Sequence, residues 1–210
     1  MKVRKYPQSH LVITKDNQKI IIDPGNITFS KGFKIEEFVG ADGYLITHQH
    51  ADHMDPENIR AVVASSPVFG NADVVAKLNE FGIKATVVSN RQKFNIKSFE
   101  IEAVDLPHCK MTDGTDGPPN TGFIIDRVLF HPGDGDEDPG VRVDNFALPI
   151  AGPSINMSGA LKFAQDVNAK VVIPIHYDSR FPANTEEFKK MIEPLGIEIR
   201  VLAHGEETEI

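Results

Sequence analysis

Thr47-His48-Gln49-His50-Ala51-Asp52-His53 is the most chemically dense segment of the chain, and the architecture follows from it. Three imidazoles and a carboxylate crowd into seven residues, too few to form a folding unit of their own. The apolar run Gly43-Tyr44-Leu45-Ile46 before them reads as the end of a buried strand. Asp55-Pro56-Glu57-Asn58 after them reads as a helix start, with Asp55 as N-cap, Pro56 at the first helical position and Glu57 in the first turn. The cluster therefore occupies a strand-to-helix turn, where a rigid scaffold presents side chains to a cleft. Alternation along an extended segment sends His48 and His50 to the same side, and Asp52 and His53 follow as the chain turns. Neutral imidazoles and carboxylates are the ligands of zinc and its first-row neighbours. Three of the chain's eight histidines fall within residues 48–53, which favours a metal site over an ordinary polar loop.

Outward from the cluster, the apolar runs His10–Ile13 and Lys19–Ile22 flank the polar Lys15-Asp16-Asn17-Gln18, a hairpin pattern. The hairpin ends at the turn tripeptide Asp23-Pro24-Gly25. Downstream, residues 59–64 and 72–81 fit helices; in the second, Val74, Val75, Leu78 and Phe81 recur at helical spacing and Gly82 follows as a stop. Strands are expected at 67–70, 85–88, 93–95 and 98–104, and the Gly- and Pro-rich residues 108–120 as a long loop. A second hairpin over 121–125 and 127–130 closes on His131-Pro132-Gly133-Asp134. Strands at 145–150, 171–175 and 197–202 then alternate with helices at 158–168 and 184–192. Hairpins giving way to alternating strands and helices imply mixed sheet covered by helices. No repeat or linker interrupts residues 1–210, so one domain is expected.

Composition narrows the partners. The net charge of −8 opposes nonspecific binding to nucleic acid or anionic lipid. No apolar run approaches membrane-span length, and the basic N-terminus lacks the apolar stretch of a secretory signal. The single cysteine, Cys109, excludes an internal disulfide and a thiolate-rich zinc site. A cytoplasmic protein acting on a small molecule, with neither nucleic acid nor membrane as partner, is the simplest expectation.

Three further polar residues stand just past hydrophobic strands: His108 after Ile101–Leu106 and Pro107, Asp134 after Val128–Phe130, and His176 after Val171–Ile175. Each alone reads as a loop residue. With the cluster they supply five histidines and two aspartates, enough for two metal ions.

The ordered set His48-x-His50-x-Asp52-His53, then His108, Asp134 and His176, resembles the metallo-β-lactamase superfamily over nearly the whole chain. Asp23-Pro24-Gly25 looks like that family's early aspartate motif, and Ala203-His204-Gly205-Glu206 resembles its terminal strand turn. Asp144–Ile150 and Pro174-Ile175-His176-Tyr177 look most like the branch containing ascorbate-6-phosphate lactonase. The resemblance implies an α+β fold, a four-layer αβ/βα sandwich with the site at one edge. It also implies that His48, His50 and His108 bind one divalent ion, that Asp52, His53 and His176 bind a second, and that Asp134 bridges them. Zinc is the first expectation for the metal, manganese or iron the next.

Two ions held close together can share a hydroxide, lower its pKa and aim it at an electrophile. The expected reaction is hydrolysis of an ester, lactone or related bond in a small, anionic substrate, with Asp52 orienting the hydroxide. Lys110 and Arg180 are candidates to bind the anionic group. His131, Tyr177 and Asp178 are candidates to protonate a leaving group, and the loop 111–119 is a candidate lid. Cys109 reads as a small filler beside a ligand. The acidic residues 135–138 read as a solvated loop; they miss the calcium-loop pattern because Pro139 and Asn145 stand where Gly and Glu belong. The competing readings are a phosphodiesterase or nuclease of the same superfamily, which the acidic balance disfavours, and a non-catalytic metal-binding protein, which a dinuclear ligand set disfavours.

Overall fold

In the computed structural model, which describes residues 1–210, two seven-stranded mixed sheets face each other. The chain runs β1 (Lys2–Lys5), β2 (Leu11–Lys15), β3 (Gln18–Ile22), α1 (Asn26–Ser30), β4 (Gly43–Ile46), α2 (Pro56–Val63), β5 (Val68–Gly70), α3 (Ala72–Glu80) and β6 (Thr86–Val87). It continues through β7 (Lys93–Ile96), β8 (Phe99–Leu106), β9 (Asn120–Ile125), β10 (Leu129–His131), β11 (Asn145–Pro149), α4 (Met157–Val167), β12 (Val171–Ile175), α5 (Thr185–Ile192) and β13 (Glu198–Ile199). It ends with β14 (Glu207–Glu209). The first sheet has the order β14-β1-β2-β3-β4-β5-β6, the second β13-β12-β11-β10-β9-β8-β7. In each, antiparallel pairing passes to parallel at one strand: β3 in the first, β10 in the second.

Period-two alternation along the strands divides the core into three layers. Ile20, Ile22 and Leu45 of the first sheet meet Ile101, Phe123, Ile125, Ala147, Ile173 and Ile175 of the second between the sheets. The alternate residues Ile21, Tyr44 and Ile46 turn outward and pack under Ile59 and Val62 of α2 and Val74 and Leu78 of α3. On the far side, Phe146, Leu148 and Val172 face Phe163, Ala164 and Val167 of α4 and Phe188 and Ile192 of α5. The result is helix, sheet, sheet, helix, the four-layer αβ/βα arrangement expected. Each fully buried Ile or Phe in these layers contributes about 1.5–3 kcal/mol relative to exposure, so the sheets form a stiff platform for whatever their ends carry.

Helix starts follow the sequence signals. Asp55 accepts from the backbone N–H groups of Glu57 and Asn58 with Pro56 inside the first turn of α2. Asn71, Asn156 and Asn184 cap α3, α4 and α5 in the same manner. No helix is long and apolar enough to cross a membrane.

The structure departs from expectation at the edges. β13 covers only residues 198–199 of the strand expected over 197–202. Arg200 still donates its backbone N–H to the Val172 carbonyl at 2.8 Å, but the residues beyond it leave the ladder: the Arg200 guanidinium reaches Thr208, and Leu202 drops into the core between the sheets. β1 and β14 were not legible because their residues are mostly charged. They pair across the chain ends, with Lys2 and Arg4 both bound to Glu207. Helix α1 and a single 3-10 turn over Ile35–Glu37 are too short to show helical periodicity.

Candidate metal centre

Strand ends of both sheets converge at one rim. Asp23 follows β3, the 47–53 turn follows β4, His108 follows β8, Asp134 follows β10, and His176 follows β12 directly. Four of these five strands, all but β8, take part in parallel pairing. Ligands characteristically gather beyond the carboxyl ends of such strands. Asp23 and His176 adopt φ of +50° and +58°. Such conformations cost of order 1–3 kcal/mol and persist where surrounding contacts over-determine them.

Two donor groups result, His48–His50–His108–Asp134 and Asp52–His53–His176, the donor atoms of each lying within 4.8 Å of one another. His48 Nε2 stands 3.1 Å from His50 Nδ1. Asp134 lies between the groups: its Oδ2 is 3.5 Å from His108 Nε2 and 3.3 Å from His176 Nε2, and its Oδ1 is 3.2 Å from His53 Nε2. Asp52 Oδ2 lies 3.5 Å from His176 Nε2 and 3.8 Å from His53 Nε2. Donors sharing a tetrahedral zinc at bonds of about 2.0–2.2 Å stand roughly 3.3–3.6 Å apart. Three of these six spacings, 3.3, 3.5 and 3.5 Å, fall in that range, and the others lie within a few tenths of an ångström of it.

A second observation tests the fit independently. His53 Nε2, His108 Nε2 and Asp134 Oδ1 are buried without a hydrogen-bond partner. Orphaned buried polar atoms are rare and costly, and these three converge. Their ring partners are satisfied on the opposite side. His53 Nδ1 donates to Asp23 Oδ2 at 2.7 Å, His108 Nδ1 to the Cys109 carbonyl at 2.6 Å, and His176 Nδ1 to the Ala151 carbonyl at 2.7 Å. His48 Nδ1 donates to Thr47 Oγ1 at 3.1 Å. Each ring is thereby oriented with Nε2 turned inward, the nitrogen that would face a metal, the arrangement metal-binding histidines use. The residues present fit a divalent metal.

Asp23 is the main support. Besides His53 it accepts from the Thr47 backbone N–H at 2.8 Å and the Thr47 hydroxyl at 2.7 Å. Asn120 accepts from the Asp134 N–H at 3.2 Å and donates to the Pro132 carbonyl at 2.9 Å, fixing the loop that carries Asp134. Asn71 donates to the carbonyls of Thr47 and Pro119. None of these was singled out as a site residue from sequence, although Asp23 was visible as a motif. Gln8 gave no signal at all. Its Nε2 donates to Asp52 Oδ2 at 2.7 Å and stands 2.7 Å from His176 Nε2.

The electrostatics are those of a negative site with buried imidazoles. Burial pulls His53 and His176 down, but the carboxylates outweigh it. Asp134 and Asp52 hold His53 well above its ordinary value, and Asp134, with its hydrogen bond and that of Asp52, pushes His176 up to about 10. Burial and the neighbouring imidazoles depress His48 and His50. Asp134 stays well below the usual carboxylate range despite burial, because of the His176 and His53 charges. Burial pushes the Cys109 thiol up to about 11, so it is no thiolate at neutral pH.

A cavity of about 320 Å³ opens onto the centre, with His50, Asp52, Asp134 and His176 in its wall. Arg180 lines the same cavity beside Phe181. Lys110 does not; it is exposed and paired with Asp116. Met111 and Thr112, at the start of the loop considered as a lid, form part of the wall. The leaving-group candidates are turned elsewhere. His131 is buried between the Ser9 carbonyl and the Gly133 N–H, Tyr177 points its hydroxyl to the Leu202 carbonyl, and Asp178 binds Lys5 and His204. Interior hydrogen bonds claim each of them, which sequence position could not reveal.

Residues 2–176 match the family described as the beta-lactamase superfamily domain. A UPF0173 metal-dependent hydrolase of Methanocaldococcus jannaschii is 30% identical over 183 residues, spanning 81% of this chain and 84% of its own. The metallo hydrolase of Ignicoccus hospitalis superposes with a TM-score of 0.76 at 23% identity, over 100% of this chain and 98% of its own. The metallo-beta-lactamase fold protein YhfI of Bacillus subtilis gives 0.73 at 14% identity, over 99% and 98%. The last two likenesses speak to the fold.

Proposed function

Because the chain belongs to the beta-lactamase superfamily, among the UPF0173 metal-dependent hydrolases, we propose that it is a dinuclear hydrolase of a small, anionic ester or lactone. Residues 1–210 are read as a single domain in the cytoplasm. The observation that carries the reading is the pair of donor groups joined by Asp134, with three buried ligand atoms turned inward and unpartnered.

His48, His50 and His108 would hold one ion, Asp52, His53 and His176 the other, and Asp134 both. Zinc suits the mixed nitrogen and oxygen donors, and manganese or iron are the alternatives. When bound, such ions supply Lewis acidity toward the acyl oxygen and lower the pKa of water toward neutrality. The chain's own residues do the rest. Asp52 Oδ2 is engaged by Gln8 and faces His176, so Oδ1 is the atom left to orient the attacking water and take its proton. Arg180 binds the anionic group of the substrate from the cavity wall. The apolar face of Phe181 beside it shields that contact from water.

The cavity supports a small-molecule substrate, since about 300–1,000 Å³ is the usual range for such sites. The lactone chemistry of the ascorbate-6-phosphate lactonase-like branch is the version of this reading that the strand segments 144–150 and 174–177 favour. The net charge of −8 weighs against a polyanion such as nucleic acid.

Metal analysis of the purified chain, followed by a hydrolysis screen over lactones, esters, thioesters and bis-p-nitrophenyl phosphate, tests the proposal. Two ions per chain and turnover of a lactone or ester, lost in His50→Ala and Asp52→Ala, is the expected result. Turnover of the phosphodiester alone would replace this reading with the phosphodiesterase one, and a protein with one ion or none and no turnover would overturn it.

A further inference from the structure

Gln8 lies in the turn between β1 and β2, far in sequence from every candidate ligand, yet its side chain is buried against the second donor group. Its carboxamide nitrogen is 2.7 Å from Asp52 Oδ2 and 2.7 Å from His176 Nε2, two of the three donors of that group; these are hydrogen-bond spacings, and a shared ion would need the carboxamide to draw back by about 0.6 Å. The Ser179 hydroxyl donates to its carbonyl oxygen. The backbone of Gln8 is pinned from both sides: its N–H donates to Asp178 Oδ1 at 2.9 Å, and its carbonyl accepts from the His176 N–H at 3.0 Å. Asp178 is anchored in turn by the fully buried Lys5 and by His204. The residue holds a φ of +64°, a conformation those backbone contacts sustain.

A carboxamide so placed can present either of two atoms. A half-turn about its terminal bond exchanges oxygen and nitrogen. The oxygen then faces Asp52 and His176, and the nitrogen donates to Ser179 Oγ. No hydrogen bond to Ser179 is lost, because a hydroxyl both donates and accepts. An N–H pair facing a cation is repelled, whereas a carbonyl oxygen is a hard donor of the kind that manganese accepts.

We propose that Gln8 is a further metal ligand: its carbonyl oxygen completes the Asp52–His53–His176 group, and Ser179 is the partner that lets it turn. The proposal rests on the dinuclear reading above. It makes the two groups chemically unequal, one with three imidazoles and the other with two imidazoles, a carboxylate and a carboxamide. It also ties occupancy of the second site to the β1–β2 turn.

The test is calorimetric titration of Mn²⁺ into metal-stripped full-length protein, with electron paramagnetic resonance counting bound ions, for the wild type, Gln8→Ala and Gln8→Glu. Thermal unfolding of the stripped proteins reports folding independently; the pinning contacts are backbone ones and survive both substitutions. Wild type is expected to bind two ions. Gln8→Ala should weaken the second tenfold or more and change the first less than twofold, and Gln8→Glu should restore or tighten the second. A second ion bound equally well or more tightly by Gln8→Ala would overturn the proposal and make Gln8 a stopper instead. Equal weakening of both ions would reduce it to a structural residue. A wild type that binds a single ion would overturn the dinuclear reading and this one with it.

Discussion

Replacing Gly25 by alanine should empty the proposed second metal site without removing any of its proposed ligands. Gly25 precedes α1 with φ −78° and ψ 175°, a conformation open to any residue, so the effect is one of space alone. A Cβ there would stand 2.0 Å from the Asp52 carbonyl oxygen, 2.1 Å from its carbon and 2.6 Å from the His53 nitrogen. These are backbone atoms and cannot rotate away. Against an ordinary contact of 3.4 Å the shortfall is about 1.4 Å, and it falls on the two residues that lead the second donor group. Metal sites tolerate ligand displacements of only about 0.2 Å, and a misplacement of about 1 Å in an active site can cost a hundredfold. Gly25→Ala is therefore expected to lose the second ion and to lower kcat/KM by about a hundredfold, or roughly 2.7 kcal/mol of transition-state stabilisation. Overpacking should also cost about 1–3 kcal/mol of stability. Metal counting by mass spectrometry, kinetics on the substrate found by the screen, and urea unfolding measure the three effects. Gly159→Ala in α4 is the matched control. Its Cβ would meet only Asn156 Oδ1 at 3.8 Å, and inside a helix the change should stabilise by up to about 1 kcal/mol. Two bound ions and activity within threefold of wild type in Gly25→Ala would refute the steric reasoning.

Asp23→Ala strands three donors, the Thr47 N–H, the Thr47 hydroxyl and His53 Nδ1–H; it should lower metal affinity by about 10–100-fold and unfold at a lower urea midpoint. His10 is fully buried, with Nε2 unpartnered, and burial, with the Lys5 and His131 charges, lowers its pKa to about 3. The unfolded chain therefore binds a proton there between about pH 6.5 and 3 that the folded chain does not, so its contribution to stability is present above pH 6.5 and is lost as pH falls, at up to about 1.4 kcal/mol per unit. Urea unfolding of metal-stripped protein at pH 7, 5.5 and 4.5 should show this slope, to which the depressed His48, His50 and His131 add, and His10→Gln should lessen it. Arg180→Ala should raise KM for an anionic substrate about tenfold or more and leave a neutral analogue unaffected, whereas Lys110→Ala should change neither, because Lys110 is paired outside the cavity.

The central elements were legible because their signals are local. The 171–175 run is a buried strand wherever it is placed, and Asp55 with Pro56 starts a helix by its own backbone chemistry. The crowding of His48, His50, Asp52 and His53 marked a metal turn before any partner was known. Lys5 shows the opposite case. A lysine in a charged segment reads as exposed, yet its side chain is wholly buried on Asp178, 173 positions away. β14, the edge of the first sheet, was hidden for the same reason, together with β1, which pairs with it. Edge strands are defined by what they pair with, not by an apolar period of their own.

Read as residues alone, the chain already shows which donor types are present, that they follow hydrophobic strands, and that they are enough for two ions. These properties belong to single segments. It took the folded chain to show that Asp134 stands between the two groups, that Asp23 orders the 47–53 turn, that Arg180 and not Lys110 lines the cavity, and that Gln8 touches Asp52 and His176. Those contacts join residues 24 to 168 positions apart. Their geometry is set by how two stiff sheets meet at one rim, and no local spacing encodes that.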